Sequence, residues 1–170
     1  SKGEGRYIIE DDYDSELRLG GKPIPTLQSI DISEKVIYMN TFTKTLASTV
    51  RISYMILPRP LLEQFYQKLS FYSCTVSNFE QYTLDLFIKE GYFEKHINRL
   101  RNYYQNKKNG FLSAIWDSGL HKCVEISGEE AGVHFLMKLK TEKAEENVIE
   151  LAKAQGIKLS PLSKFYNEKK

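Results

Sequence analysis

Near the N-terminus, three runs carry apolar side chains almost without interruption: RYIIE (Arg6–Glu10), KVIYMN (Lys35–Asn40) and RISYMILP (Arg51–Pro58). Short runs of this kind, rich in β-branched and aromatic residues, predict strands covered on both faces. The breaker-rich GGKPIP (Gly20–Pro25) predicts a loop between the first two. The period then changes. Pro58 and Pro60 close the strand region, Pro60 suits the first turn of a helix, and Leu61, Leu62, Phe65, Tyr66 and Leu69 recur at helical spacing. Ser77 with Glu80 three residues on is a capping-box signature for a helix through NFEQYTLDLFIKEG, stopped at Gly91. Phe93, Ile97, Leu100 and Tyr104 mark one face of a longer helix. Beyond it, KCVEIS and GVHFLMKL read as strands around a turn at GEEAG. TEKAEENVIELAKAQG reads as a helix capped by Thr141 and ended at Gly156, and IKLSP as a short strand. The order predicts an α/β protein: three strands with helices, then a smaller strand–strand–helix–strand unit, divided between Gly91 and Gly110.

Composition narrows the function classes. With 41% hydrophobic and 27% charged residues the chain is an ordinary globular one, and a net charge of +2 gives no electrostatic case for nucleic-acid binding. No apolar run approaches the ~20 residues that cross a bilayer. No signal peptide opens the chain, so no membrane association and a cytoplasmic location are expected. The charged start, running at once into a strand, predicts a piece of a longer protein. Cys74 and Cys123 lack metal-ligand spacing and read as buried thiols of a reducing compartment. His96, His121 and His134 are scattered, so no metal is expected, and His134 on an apolar strand reads as a core histidine. The basic positions from Lys95 to Lys108 read as a solvated helix face.

Chemistry concentrates at the strand ends. Asp11 and Tyr13 follow the first strand, Thr41, Thr43 and Lys44 follow the second, and Arg51 opens the third. A solvated lysine is protonated near neutral pH; in a dry pocket, or beside another cation, its pKa falls and the amine attacks carbonyls. An aldehyde cofactor such as pyridoxal phosphate needs such a lysine, a carboxylate for the ring nitrogen and a donor for the ring oxygen. It also needs arginine and hydroxyls for the phosphate. Each type is present, but on residue types alone TFTKTL reads more readily as a loop with a solvated lysine.

IIEDDYDSELR followed by VIYMNTFTKTLASTVRISYMILP resembles the aminotransferase-like region of MocR/GabR-type transcription regulators, fold type I pyridoxal-phosphate proteins fused behind a GntR-type winged helix-turn-helix. Asp11 and Lys44 keep the family's separation, 44 − 11 = 33 residues. GYFEKHINRLRNYYQNKK, EEAGVHFLMKL and GIKLSPLSKFY resemble later family segments, so the resemblance covers nearly the whole chain. It implies part of a fold type I large-domain sheet over residues 1–91, then a small α+β C-terminal domain over residues 92–170. By the same resemblance Lys44 is the Schiff-base lysine, Asp11 pairs with the pyridine nitrogen and Tyr13 donates to the ring oxygen. Arg51 binds phosphate, with Thr41 and Thr43 in the flanking hydroxyl positions. Asp12 and Asp14 read as solvated or capping.

Two departures from the family pattern stand out. Ser48–Val50 replaces a Pro-Gly pair, and Ser53 replaces a glycine, so the loop geometry beside the phosphate is less constrained. The resemblance also puts the DNA-binding domain, a ring-stacking aromatic and a phosphate-binding helix before Tyr7, and a substrate-carboxylate arginine beyond Tyr166. The segment alone is therefore expected to bind cofactor weakly or not at all. The reading that follows is an effector-sensing domain, homodimeric, responding to an amino compound or a vitamin B6 vitamer and reaching DNA only through another domain. A working aminotransferase, with Lys44 also serving as general base, is the alternative; a dimerisation module with a vestigial pocket is a third.

Overall fold

The computed structural model describes residues 5–20, 24–128 and 133–166. Three strands, β1 (Ile8–Asp11), β2 (Val36–Thr41) and β3 (Ser53–Ile56), form one sheet in that order. β1 and β2 are parallel, and β3 returns antiparallel to β2. A parallel pair requires a long connection, and two carboxylates organise this one. Glu10 accepts from the amides of Leu27 (2.7 Å) and Gln28 (3.0 Å). Asp31 accepts from those of Ser33 (3.0 Å), Lys35 (2.6 Å) and Val36 (2.7 Å), fixing where β2 begins. Burial acts to raise the Asp31 pKa; the amide donors from Val36, Lys35 and Ser33 prevail and hold it below the ordinary value.

β2 alternates. Val36, Tyr38 and Asn40 are buried, while Ile37, Met39 and Thr41 point to the other face. The buried face is tied to the 3-10 turn Ser15–Leu17 through Asn40 and Glu16, and Phe42, just past β2, packs on Phe93 of the long helix described below; Leu17, Ile52 and Ile97 are buried as well. An aromatic chain runs through it: Tyr38 to Tyr54 (6.2 Å between centroids), Tyr54 to Phe42 (5.5 Å) and Phe42 to Phe93 (5.8 Å). The expectation of strands covered on both faces is corrected. All four residues of β3 are exposed and Ile9 is 66% exposed. β1 and β3 are edge strands, and the described elements cover one face of the sheet only.

Helix α1 (Arg59–Leu69) starts after Pro58, with Pro60 in its first turn. Helix α2 (Asn78–Lys89) carries the expected capping box: the Ser77 hydroxyl accepts from the Glu80 amide (3.2 Å) and donates to Glu80 Oε2 (2.9 Å). Gly91, at φ +71°, separates α2 from α3 (Tyr92–Asp117), which continues unbroken through Gly110. A hairpin of β4 (Val124–Ser127) and β5 (Leu136–Leu139) follows, then α4 (Glu145–Ala154).

Four local expectations need correcting. Thr141 does not cap α4. Its hydroxyl accepts from the Lys143 amide (3.2 Å) in a turn of its own, and Ala144 holds the cap position. Residues 157–160 form no strand, because no described strand lies beside them to complete a ladder; a 3-10 turn, Leu162–Phe165, comes next. Cys74 and Cys123 are exposed, Cys74 in the α1–α2 connection and Cys123 just ahead of β4. His134 is also exposed and precedes β5. Residues 129–132 of the GEEAG turn and 21–23 of GGKPIP lie outside the described residues. Among those residues no helix is long and apolar enough to cross a membrane.

Candidate functional site

Parallel pairing makes β1 and β2 end at the same edge of the sheet, and there the singled-out residues gather. Asp11 closes β1 opposite Met39, and Met39 lies opposite Met55, so the exposed Asp11 is on the face away from Tyr38 and Asn40. The Asp12 amide extends the ladder by donating to Met39 O (2.9 Å).

After Thr41 the chain turns into a tight loop. The Phe42 amide donates to Ile52 O (2.9 Å), Leu46 to Phe42 O (2.8 Å) and Val50 to Ala47 O (3.0 Å). Two hydroxyls stitch its sides. Thr43 Oγ1 donates to Val50 O (2.9 Å), and Thr41 Oγ1 lies 3.1 Å from Thr43 Oγ1 and 3.2 Å from Ile52 O. Lys44 projects from this braced loop and is exposed. Its Nζ lies 5.6 Å from the centroid of the Tyr13 ring, a cation–π distance. The lysine loop and the acidic loop therefore meet, two residues beyond Asp11. Arg51 stands exposed at the far end of the lysine loop, with no hydrogen-bond or ion-pair partner among the described residues.

The donor set suits an aldehyde phosphate by its chemistry: an exposed amine, a neighbouring phenol and carboxylate, and a guanidinium on the same loop. Because the Thr43 proton goes to Val50 O, Arg51 and Lys44 are the cationic side chains here with donors to offer an anion. Among the described residues no three His, Cys, Asp or Glu side chains converge as a metal would require.

Behind this edge lies a polar network that the sequence reading did not identify. Asp12 Oδ2 accepts from Tyr38 Oη and from Ser15 Oγ, both at 2.9 Å. Asn40, 4% exposed, donates through Nδ2 to Tyr38 Oη and to Glu16 Oε1, both at 3.0 Å. The second oxygen of Glu16 is buried without a hydrogen-bond partner. Burial pushes the Tyr38 phenol well above its ordinary pKa; donation from Asn40 acts against this and the Asp12 carboxylate adds to it. Tyr54 is raised too, first by burial. Period-two alternation was the available signal, since it puts Asn40 on the same face as Val36 and Tyr38. α3 adds two further contacts: Arg101 Nε donates to Glu16 O (2.6 Å), and His96 Nε2 lies 2.9 Å from Thr45 O. Those two residues of the basic stretch face inward, while Lys95 and Lys107 are exposed as expected.

No family model matches the chain. Comparison with solved structures defines the class: this chain has the fold type I α/β architecture of the aminotransferases. The Pyrococcus horikoshii kynurenine aminotransferase aligns with a TM-score of 0.76 at 29% identity, over 94% of this chain and 39% of that one. Within the class, the chain belongs to the MocR-type regulators, as a portion of their aminotransferase-like region. It is 46% identical over 160 residues to the HTH-type transcriptional regulator YdeL of Bacillus subtilis. It is 36% identical over 160 residues to the probable rhizopine catabolism regulatory protein MocR of Rhizobium meliloti. Each match takes in 94% of this chain, while the chain spans about a third of the relatives' own length, 34% and 32%.

Proposed function

We propose that this chain is the lysine-bearing part of a pyridoxal-phosphate-binding, effector-sensing region in a transcription regulator. Lys44 is the attachment residue, Asp11 pairs with the ring nitrogen and Tyr13 with the ring oxygen. Arg51 holds the phosphate, and Thr41 and Thr43 line the phosphate side while bracing the loop. Residues 1–91 belong to the larger unit and 92–170 to the smaller. When bound, the cofactor would supply an aldehyde carbon reactive toward amines, and Lys44 would be the residue that holds it. The protein's own part is to present the Lys44 amine beside Tyr13, to counter the ring nitrogen's charge with Asp11 and to keep the loop from collapsing. An amino compound, or the vitamer itself, changes the regulator by binding one of its conformations better than the other. The reading implies a homodimeric, cytoplasmic protein that reaches DNA through a separate domain.

The observation that carries this proposal is the Lys44 ammonium over the Tyr13 ring at 5.6 Å, beside the end of a parallel strand pair. Identity of 46% to YdeL and 36% to MocR, against 29% to the aligned aminotransferase, favours regulation over turnover. The test adds pyridoxal phosphate to the full-length protein and follows the visible absorbance of lysine-bound cofactor. Borohydride fixation and peptide mass mapping then locate the lysine. The expected result is a band in the wild type, none in Lys44→Ala, and the label on Lys44. A band that survives Lys44→Ala overturns the assignment, and steady turnover of an amino donor with a keto acid replaces the sensor by an enzyme.

A further inference from the structure

The two inward contacts of α3 reach the two loops that meet at Lys44 and Tyr13. His96 Nε2 meets the carbonyl of Thr45, the residue after Lys44, at 2.9 Å. Arg101 Nε meets the carbonyl of Glu16, three residues past Tyr13, at 2.6 Å. These partners lie 51 and 85 positions away in the chain, so neither contact follows from local helix geometry. On a helix, residues five apart are separated by roughly 140° around the axis, and Phe93, Ile97, Leu100 and Tyr104 fall in the arc between. Ile97 is buried at 5% exposure, and Phe93 packs edge-on against Phe42 of the lysine loop. An apolar stripe thus seats the helix, and one polar side chain on each rim holds one loop.

We propose that His96 and Arg101 are positioning residues, which set the distance between the Lys44 loop and the Asp11–Tyr13 loop by clamping each to α3. This rests on the reading of Lys44 as the attachment lysine. A carbonyl partner requires His96 to carry its proton on Nε2, and a glutamine amide can supply the same donor. Thr45 is 1% exposed, so water does not readily replace a lost donor there. Arg101 leaves the Glu16 side chain to Asn40 and restrains the backbone itself.

The experiment measures amide hydrogen exchange in the cofactor-free full-length protein, and pyridoxal-phosphate affinity in parallel, for His96→Ala, His96→Gln and Arg101→Met. In His96→Ala, exchange over residues 43–50 rises about tenfold and cofactor affinity falls about tenfold. Arg101→Met has the same effect over residues 13–18, and His96→Gln restores wild-type behaviour in both assays. Exchange in β4 and β5 stays unchanged throughout. The clamp is overturned by loop exchange that His96→Ala leaves unaltered, by a rise spread equally over β4 and β5, by unchanged cofactor affinity, or by a His96→Gln variant no better than alanine. If wild-type protein takes up no cofactor, the functional reading fails, and the exchange comparison alone decides the clamp.

Discussion

Replacing Asn40 with valine tests whether the network behind the site is held by its hydrogen bonds or merely tolerated. Asn40 is 4% exposed and gives one Nδ2 bond to a carboxylate and one to a phenol oxygen. A bond to a charged group is worth about 1.5–3 kcal/mol and a neutral one about 0.5–1.5 kcal/mol. Valine suits a buried strand position and leaves little void, so lost bonding dominates the effect. Removing both donors leaves Glu16 with no donor on either oxygen, since Oε2 already lacks one. The expected cost is about 2–4 kcal/mol, read from urea unfolding followed by circular dichroism. The decisive comparison is the background. In Glu16→Leu no buried carboxylate waits for a partner, and Asn40→Val should then cost only about 0.5–1.5 kcal/mol, the neutral bond to Tyr38 Oη that remains to be lost. Equal costs in the two backgrounds, or a single-variant cost under about 1 kcal/mol, would refute the reasoning.

Ser77→Ala removes the acceptor for the Glu80 amide and should lower stability by about 1 kcal/mol, with faster exchange confined to the first turn of α2; thermal unfolding and exchange read both. Alkaline pH probes Tyr38. Its folded-state pKa lies above the ordinary 10.0, mainly through burial, so the neutral phenol favours the folded state. The stability it contributes is intact below pH 10 and is lost as pH climbs toward the raised value. Tyr38→Phe should reduce this alkaline loss without abolishing it, since Tyr54 is shifted in the same direction; urea midpoints compared from about pH 8, below the linkage window, to about pH 11, inside it, decide.

Features whose causes lie close together in the chain were legible in the sequence. The Ser77–Glu80 cap and the Gly91 break need only neighbours, and the structure has them. Thr141 shows the limit of that logic: a hydroxyl before a helical stretch can cap a helix or close a turn, and the Lys143 amide took it for the turn. IKLS has strand propensity, but a ladder needs a second strand that propensity does not supply. Cys74 and Cys123 followed the preference of thiols for burial, and their places in connecting segments override it. The meeting of Tyr13 with Lys44 could be expected from a family resemblance, not from spacing. The carbonyl contacts of His96 and Arg101 join residues distant in sequence, and on paper both fall within a helix stretch that reads as a solvated basic face.

The length of α3 has a mechanical consequence. From His96 to its end at Asp117 the helix extends about 32 Å at 1.5 Å per residue, so a tilt of about 5° at the clamped end swings the far end by about 3 Å. Displacements too small to notice around an amine would arrive at the β4–β5 hairpin magnified to the scale on which surfaces engage or part. A rod held near one end is an amplifier, and this one has its fulcrum one residue from the lysine.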